Sequence, residues 1–147
     1  QTLEYIKDVD SSLNELKRIS KKNSKFVNVS ILWDYFRFYG PEKKLNDLIH
    51  DAFRAHCFHQ MLPLDLIGKL SNLGYQNINS ENLSYLITNR DENSPAIFYE
   101  KMLAKFAISQ GISENQVMDW QKQLIQSEQD KKFGFTSFPV LTSAYSN

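Results

Sequence analysis

The chain has little of what builds disulfide-linked, membrane-spanning or strongly charged proteins. Cys57 is the one cysteine among 147 residues, so no disulfide can form within the chain. No apolar run approaches the roughly 20 residues that a membrane-spanning helix needs. Seventeen basic residues balance seventeen acidic ones, so no overall field draws the chain towards nucleic acid or an anionic membrane. We therefore expect a cytoplasmic protein that does not bind a membrane.

Familiar catalytic and cofactor-binding motifs are also missing. The five glycines lie far apart, which excludes a glycine-rich phosphate loop. The sequence contains no Gly-x-Ser-x-Gly, His-Glu-x-x-His or Cys-x-x-Cys pattern, the signatures of common hydrolases and metal sites. What remains is 41% hydrophobic and 13% aromatic residues, enough at this length for a core without disulfides or a structural metal. We expect no cofactor and no enzymatic activity.

Apolar side chains recur at helical spacing along most of the chain. Two of the helices begin with capping signals: Ser94 precedes Pro95, and Ser113 is followed three residues later by Gln116. The pattern predicts seven helical segments, over residues 2–20, 28–38, 41–60, 64–73, 81–88, 95–109 and 114–131.

The second, aromatic-rich segment allows two interpretations. Its β-branched start, with Val27, Val29 and Ile31, is compatible with a strand. We prefer a helix that is buried on most sides, because Gly40 and Pro41 supply a helix end directly after it.

Together these segments predict an all-α fold, an orthogonal bundle of about six to seven helices. Residues 1–132 form a single helical domain in this interpretation. Residues 133–147 form an extended C-terminal tail. The tail is too apolar to stay in solvent, so we expect it to pack on the domain or on a partner subunit.

Residues 103–125 carry the pattern that comes nearest to a functional motif. Ala107 stands four residues before Gly111, and Val117 stands six residues after it. A small residue, a turn and an apolar residue that locks the second helix therefore follow in order, and the segment resembles the helix-turn-helix of transposases and small regulators. The resemblance implies a DNA-binding regulator that contacts DNA through polar side chains of the second helix, namely Ser113, Asn115, Gln116 and Lys122.

The local charge argues against this alternative. From Lys105 to Asp130 there are two basic and four acidic residues, whereas phosphate contacts need lysine and arginine. Nucleic acid is therefore a partner that the sequence allows but that its charge does not favour.

Three histidines within ten residues suggest a weaker alternative, a metal- or ligand-binding helical bundle. On a helix over 41–60, His56 and His59 fall on the apolar face, whereas His50 falls outside it. Two inward imidazoles can ligate a metal ion if another helix adds a carboxylate. The other interpretation is that both rings make hydrogen bonds within the core.

Aromatic side chains in two segments offer more apolar surface than one core face needs. On a helix, the nearly consecutive Trp33, Tyr35 and Phe36 would face several directions, and the tail adds Phe135 and Phe138. Such side chains favour a core or an interface between protein chains. We therefore interpret the chain as a small non-enzymatic module for protein–protein association. Its expected partner is another protein, including a second copy of itself in a homodimer.

Overall fold

The computed structural model describes residues 2–147 and shows a mixed α/β protein, so the all-α prediction is wrong. Within these residues the α-helices cover Val9–Ile19 (α1), Lys43–Phe53 (α2), Leu62–Asn72 (α3), Pro95–Ser109 (α4) and Glu114–Gln129 (α5). The strands cover Lys25–Ile31 (β1), Arg37–Tyr39 (β2), Tyr75–Asn82 (β3), Tyr85–Ile87 (β4), Gly134–Ser137 (β5) and Pro139–Ser146 (β6). Short 3₁₀ helices cover Leu3–Tyr5, Trp33–Tyr35 and Arg54–His56.

The chain divides into two compact units, each assembled from separate stretches of sequence. The first unit comprises residues up to Tyr35 together with 57–84 and 137–147. The second unit comprises 36–56 and 85–136.

An antiparallel three-stranded sheet lies at the centre of the first unit, in the order β1-β6-β3. Val29 of β1 lies opposite Leu141 of β6, and Glu81 of β3 lies opposite the same residue on the other side. The central strand is therefore the last one in the sequence, and β1 and β3 form the two edges.

Helices α1 and α3 supply most of the apolar core of the first unit. Helix α1 begins at Asp8, whose carboxylate accepts a hydrogen bond from the Ser11 N–H at 2.9 Å. Helix α3 contributes Leu62, Leu66 and Leu70 at helical spacing, and these three are fully buried. The buried cluster consists of Leu3, Val9, Leu13, Leu62, Leu66, Leu70, Tyr75 and Ala144.

Helices α2, α4 and α5 pack against one another in the second unit, which also contains the antiparallel sheet β2-β5-β4. Trp120 of α5 is fully buried, and its indole N–H donates to Asn46 Oδ1 at 2.9 Å. The Asn46 amide donates in turn to the Phe38 carbonyl at 2.8 Å. One asparagine thus joins α5, α2 and β2.

His50 belongs to the same core, although helical spacing had placed it outside the apolar face. Its ring Nε2 accepts a hydrogen bond from the Phe38 N–H at 3.2 Å. Burial, together with the positive charge of Arg37, lowers the pKa of His50 to about 3. The ring is therefore neutral at physiological pH and can act as the acceptor that this contact requires.

The predicted helix over 28–38 is wrong because pairing with a distant strand outweighs the local pattern. β1 ends at Ile31 and is followed by a 3₁₀ helix and β2. The β-branched residues that could have formed a strand do so, paired with β6 along their whole length. The predicted helix over 81–88 is wrong for the same reason, since it is replaced by the end of β3 and by β4.

Two further predicted helices are shorter than expected, and the three over 64–73, 95–109 and 114–131 agree closely with the structure. The segment 2–20 is interrupted because Ile6 adopts an extended conformation before α1 begins. The segment 41–60 stops being α-helical after Phe53. Helices α4 and α5 begin at the predicted caps, Ser94 and Ser113. None of the helices within residues 2–147 combines the length and apolar character needed to span a bilayer.

Candidate functional site

A buried carboxylate joins three segments of the first unit. Glu4 is fully buried, and its Oε2 accepts a hydrogen bond from the N–H of Ile31, the last residue of β1, at 3.2 Å. Its own main-chain carbonyl accepts hydrogen bonds from Phe58 at 3.0 Å and from His59 at 3.2 Å. The N-terminal 3₁₀ helix, the end of β1 and the loop that precedes α3 are therefore fixed to one residue, and we call this arrangement the Glu4 cluster.

The loop after β1 is held by several further contacts within the first unit. The Trp33 N–H donates to the Gln60 carbonyl at 2.9 Å, which ties the loop to the same segment that Glu4 binds. The Leu32 N–H donates to the Phe138 carbonyl at 2.9 Å. The Tyr35 ring remains 53% exposed while its centroid lies 5.3 Å from that of Phe138. A half-exposed aromatic ring is thus presented from a fixed backbone.

The electrostatic state of Glu4 is unusual for a glutamate. Burial raises the pKa of Glu4 above its ordinary value, and hydrogen bonds from the Ile31 N–H and from the side chains of Trp33 and Ser30 oppose the rise only in part. Ser30 is itself buried and accepts a hydrogen bond from the Asn28 amide at 2.7 Å. Perturbed carboxyl groups with specific partners concentrate at functional sites, which makes this cluster the candidate site of the first unit.

Glu4→Gln should change how stability depends on pH. The folded chain holds the Glu4 proton to higher pH than the unfolded chain, so the natural chain loses stability as pH rises from about 4.5 through the raised folded-state pKa. Glutamine cannot ionise. The free energy of unfolding of the variant, minus that of the natural chain, should therefore grow over this window by about 1.4 kcal/mol for each unit by which the pKa is raised.

Urea unfolding of both chains across this pH range measures the difference. Glu15→Gln is the matched control, because a hydrogen bond from Arg18 lowers the pKa of Glu15. The natural chain gains stability from Glu15 as pH rises from the lowered folded-state pKa to the unfolded-state pKa, so the variant-minus-natural difference of this control should fall over that lower range and stay constant above it. If the free energies of unfolding of the natural chain and of Glu4→Gln change with pH in parallel, burial does not perturb the pKa of Glu4.

The residues of the predicted helix-turn-helix lie in the second unit. Ser113 and Gln116 bind each other in a capping box, so their polar atoms are used in starting α5. Asn115 and Lys122 are exposed on that helix. The structure brings the first two together for a structural purpose and leaves the other two in solvent.

The two histidines proposed as metal ligands lie in different units. The Nδ1–H of His56 donates to the Phe53 carbonyl at 2.6 Å, and its ring stacks on Phe53 with centroids 4.0 Å apart. The Nε2–H of His59 donates to the Ile6 carbonyl at 2.9 Å. Across residues 2–147 no group of three histidine, cysteine or acidic side chains is arranged to hold a metal ion.

The aromatic residues proposed for an interface pack within their own units. In the second unit, Phe36 and Phe135 are buried with ring centroids 5.0 Å apart. In the first unit, Tyr35 lies against Phe138 as described above, and Trp33 belongs to the Glu4 cluster. Sequence reasoning therefore named Trp33 and Tyr35 but missed Glu4, whose position in an apparently amphipathic helix gave no sign of burial.

Comparison with known proteins finds a likeness in fold only. No protein-family model and no curated protein sequence matches the chain. Among solved structures, the chain is similar to a provisionally named methyltransferase from Bacillus halodurans C-125, with a TM-score of 0.50 and 10% sequence identity. The match covers 99% of this chain but 66% of that one, so the chain spans less than two thirds of the methyltransferase's length.

The mixed α/β fold contradicts the interpretation of the chain as a non-enzymatic helical module. That interpretation described an all-α bundle, whereas the structure has strands in both units, and neither the helix-turn-helix nor the metal-binding alternative is better supported. The expectation of no enzymatic activity is withdrawn with it, because a solved structure of similar fold comes from a protein that is provisionally named as a methyltransferase.

Proposed function

We propose that the chain forms part of a methyltransferase. The observation that carries the proposal is the likeness of fold, which extends over 99% of the chain. The Glu4 cluster supports it, because a buried carboxyl of raised pKa fixes a loop at the end of an edge strand. Cys57 forms no disulfide, which favours a reducing compartment, and we place the protein in the cytoplasm as part of the same proposal.

The role we assign to the Glu4 cluster is to position the loop that follows β1. Methyl transfer is a displacement in which the acceptor atom, the methyl carbon and the leaving group must lie in line, so a rigid acceptor site lowers the barrier. Tyr35 offers a flat, half-exposed ring on this loop for an acceptor molecule to pack against. Glu4 is fully buried and acts through the loop, as a positioning residue.

The methyl donor does not fit the apolar groove of the first unit. S-adenosylmethionine, the methyl donor used in the assay below, carries a carboxylate, an ammonium and a sulfonium group. This groove has room for a small molecule, at about 680 Å³, but among the described residues that line it Glu15 is the one charged side chain. None of these described residues is a cation that could bind the donor's carboxylate, and Glu15 is already bound by Arg18 at 2.7 and 2.8 Å. We assign no donor site to this groove and derive no step through the donor.

A transfer assay with the protein expressed from its complete gene tests the proposal. The protein is incubated with S-adenosylmethionine labelled in its methyl group and with the small-molecule and macromolecular fractions of a host extract. We expect label to enter one acceptor fraction, and Tyr35→Ala to reduce the transfer about tenfold or more because a packing surface for the acceptor is lost.

Tyr39→Ala is the matched control, since Tyr39 is also an exposed tyrosine but belongs to β2 of the second unit. It should leave the transfer rate unchanged. Label in no fraction would contradict methyl transfer itself. If both tyrosine variants lose transfer activity equally, or if neither loses any, the loop after β1 does not have the role that we assign to it.

A further inference from the structure

A groove runs along the open side of β1 in the first unit. One wall is formed by α1, with Ser11, Glu15 and Leu16, and the other by residues 26–29 of β1. Thr2, Leu3 and Ile6 close one part of it. Its volume of about 680 Å³ is bounded mainly by apolar side chains. A groove between a sheet edge and a helix packed beside it has the shape that one more strand fills.

The backbone along this side of β1 has no strand to pair with. The Leu32 N–H and the Ser24 carbonyl both bond towards β6. Because the main-chain groups of alternate residues point to opposite sides of a strand, those of Lys25, Val27 and Val29 point away from β6. Within residues 2–147, β1 pairs with β6 alone. Glu4 satisfies the outward N–H of Ile31, but it covers only the end of the edge.

The two edges of this sheet differ in how they are protected. The opposite edge, β3, is polar along most of its length and is interrupted by an irregularity in register between Gln76 and Asn79. Bulges and polar residues of this kind discourage pairing with another strand. β1 is regular, has a charged residue only at Lys25, and leaves the apolar side chain of Val27 54% exposed. An unprotected apolar edge of this kind is suited to accept a strand.

We propose that the open edge of β1 and the adjoining groove bind a further β-strand, supplied by a part of the same protein outside these 147 residues. A strand is required because main-chain donors and acceptors line the edge, and its side chains towards α1 must be apolar to match the groove. The length of the methyltransferase of similar fold supports this source of the strand. That protein has chain beyond the matched part, since the match covers 66% of it. The sheet of the first unit is then one strand wider in the complete protein.

Thiol labelling tests the proposal without relying on methyl transfer. Val27→Cys and Leu64→Cys are made separately in a Cys57→Ser background, which removes the natural thiol. Leu64 is the matched control because its side chain is 63% exposed on α3 of the same unit. Each variant is prepared as the 147-residue chain and as the protein from the complete gene, and its reaction rate with a maleimide is measured.

In the 147-residue chain we expect both thiols to react at similar rates. In the complete protein the thiol at position 27 should react at about one tenth of that rate or below. The thiol at position 64 should keep its rate, because the paired strand covers only position 27. Equal reactivity in the complete protein would overturn the proposal, as would a gene that encodes no further chain. Protection that appears in the 147-residue chain and rises with its concentration would mean that a second copy occupies the edge, and would also overturn it.

Amide hydrogen exchange of the unsubstituted protein provides a second measurement, which does not depend on the folding of a variant. The outward amides of Val27 and Val29 should exchange rapidly in the 147-residue chain and become protected in the complete protein. The inward amide of Asn28 should be protected in both, since it bonds towards β6. Failure of the transfer assay with protection at Val27 would reject the proposed function and keep this inference; the reverse result would reject only the inference.

Discussion

Replacing Trp120 with alanine should lower the free energy of unfolding by about 3–5 kcal/mol. The indole is fully buried and its ring meets that of Phe38 edge to face, with centroids 5.5 Å apart. Truncation therefore leaves a large cavity and loses an aromatic contact. It also removes the donor to Asn46, whose buried side-chain oxygen is left without its partner.

Two further variants separate these contributions. Trp120→Phe keeps most of the ring packing but lacks the N–H, so it should cost about 1–3 kcal/mol for the unpaired Asn46 oxygen. Met118→Ala is the control on the same helix, because Met118 is 49% exposed, and it should change stability by about 0.5 kcal/mol or less. Urea unfolding followed by circular dichroism measures all three. A Trp120→Ala variant as stable as the control would contradict the packing of the second unit.

Arg90→Met should destabilise the chain by about 3–5 kcal/mol, because it leaves a carboxylate buried without its cation. The Arg90 guanidinium lies 2.6 Å from Glu100, and their side chains are 11% and 6% exposed. Glu100 then keeps a hydrogen bond from Gln121 at 3.3 Å, which does not neutralise its charge. The main-chain N–H of Arg90 also donates to Glu128, so the arginine helps to fix the loop before α4.

The double variant Arg90→Met with Glu100→Met distinguishes a buried ion pair from general packing. Removing both charges should cost less than Arg90→Met alone, since no unpaired charge then remains in the interior. Arg18→Met is the control, because the pair between Arg18 and Glu15 is 71% and 59% exposed, and its unfolding midpoint should not move measurably. Glu100→Met alone completes the comparison. If the costs of the two single variants sum to the cost of the double variant, Arg90 and Glu100 are not coupled as the structure indicates.

Local signals in the sequence predicted helix starts well and strands badly. Ser94 and Ser113 act within one helical turn of themselves, so their role does not depend on the rest of the fold. β1 depends on β6, which follows it by most of the chain, and nothing near Val27 or Val29 announces that partner. The β-branched pattern allowed a strand, but the neighbouring aromatic residues and Gly40 outweighed it.

The candidate site was harder to predict than the fold. Glu4 reads as a charged residue on an amphipathic helix over 2–20, where an acid faces solvent. The structure breaks that helix after Tyr5, and the break turns the Glu4 carboxylate towards Ile31. Trp33 was named as an interface candidate, yet its connection to Glu4 and to Gln60 arises only when distant segments meet.

The likeness to a methyltransferase depends on the sheet of the first unit, in which β6 lies between β1 and β3. Nuclear Overhauser effects in the labelled 147-residue chain test this strand order most directly. Val29 and Leu141 form a pair without mutual hydrogen bonds, as do Asn82 and Val140, so their Hα protons should lie close together. Strong Hα–Hα effects in both pairs are the predicted result. Their absence, with helical chemical shifts over residues 28–38, would contradict the fold and with it the proposed function.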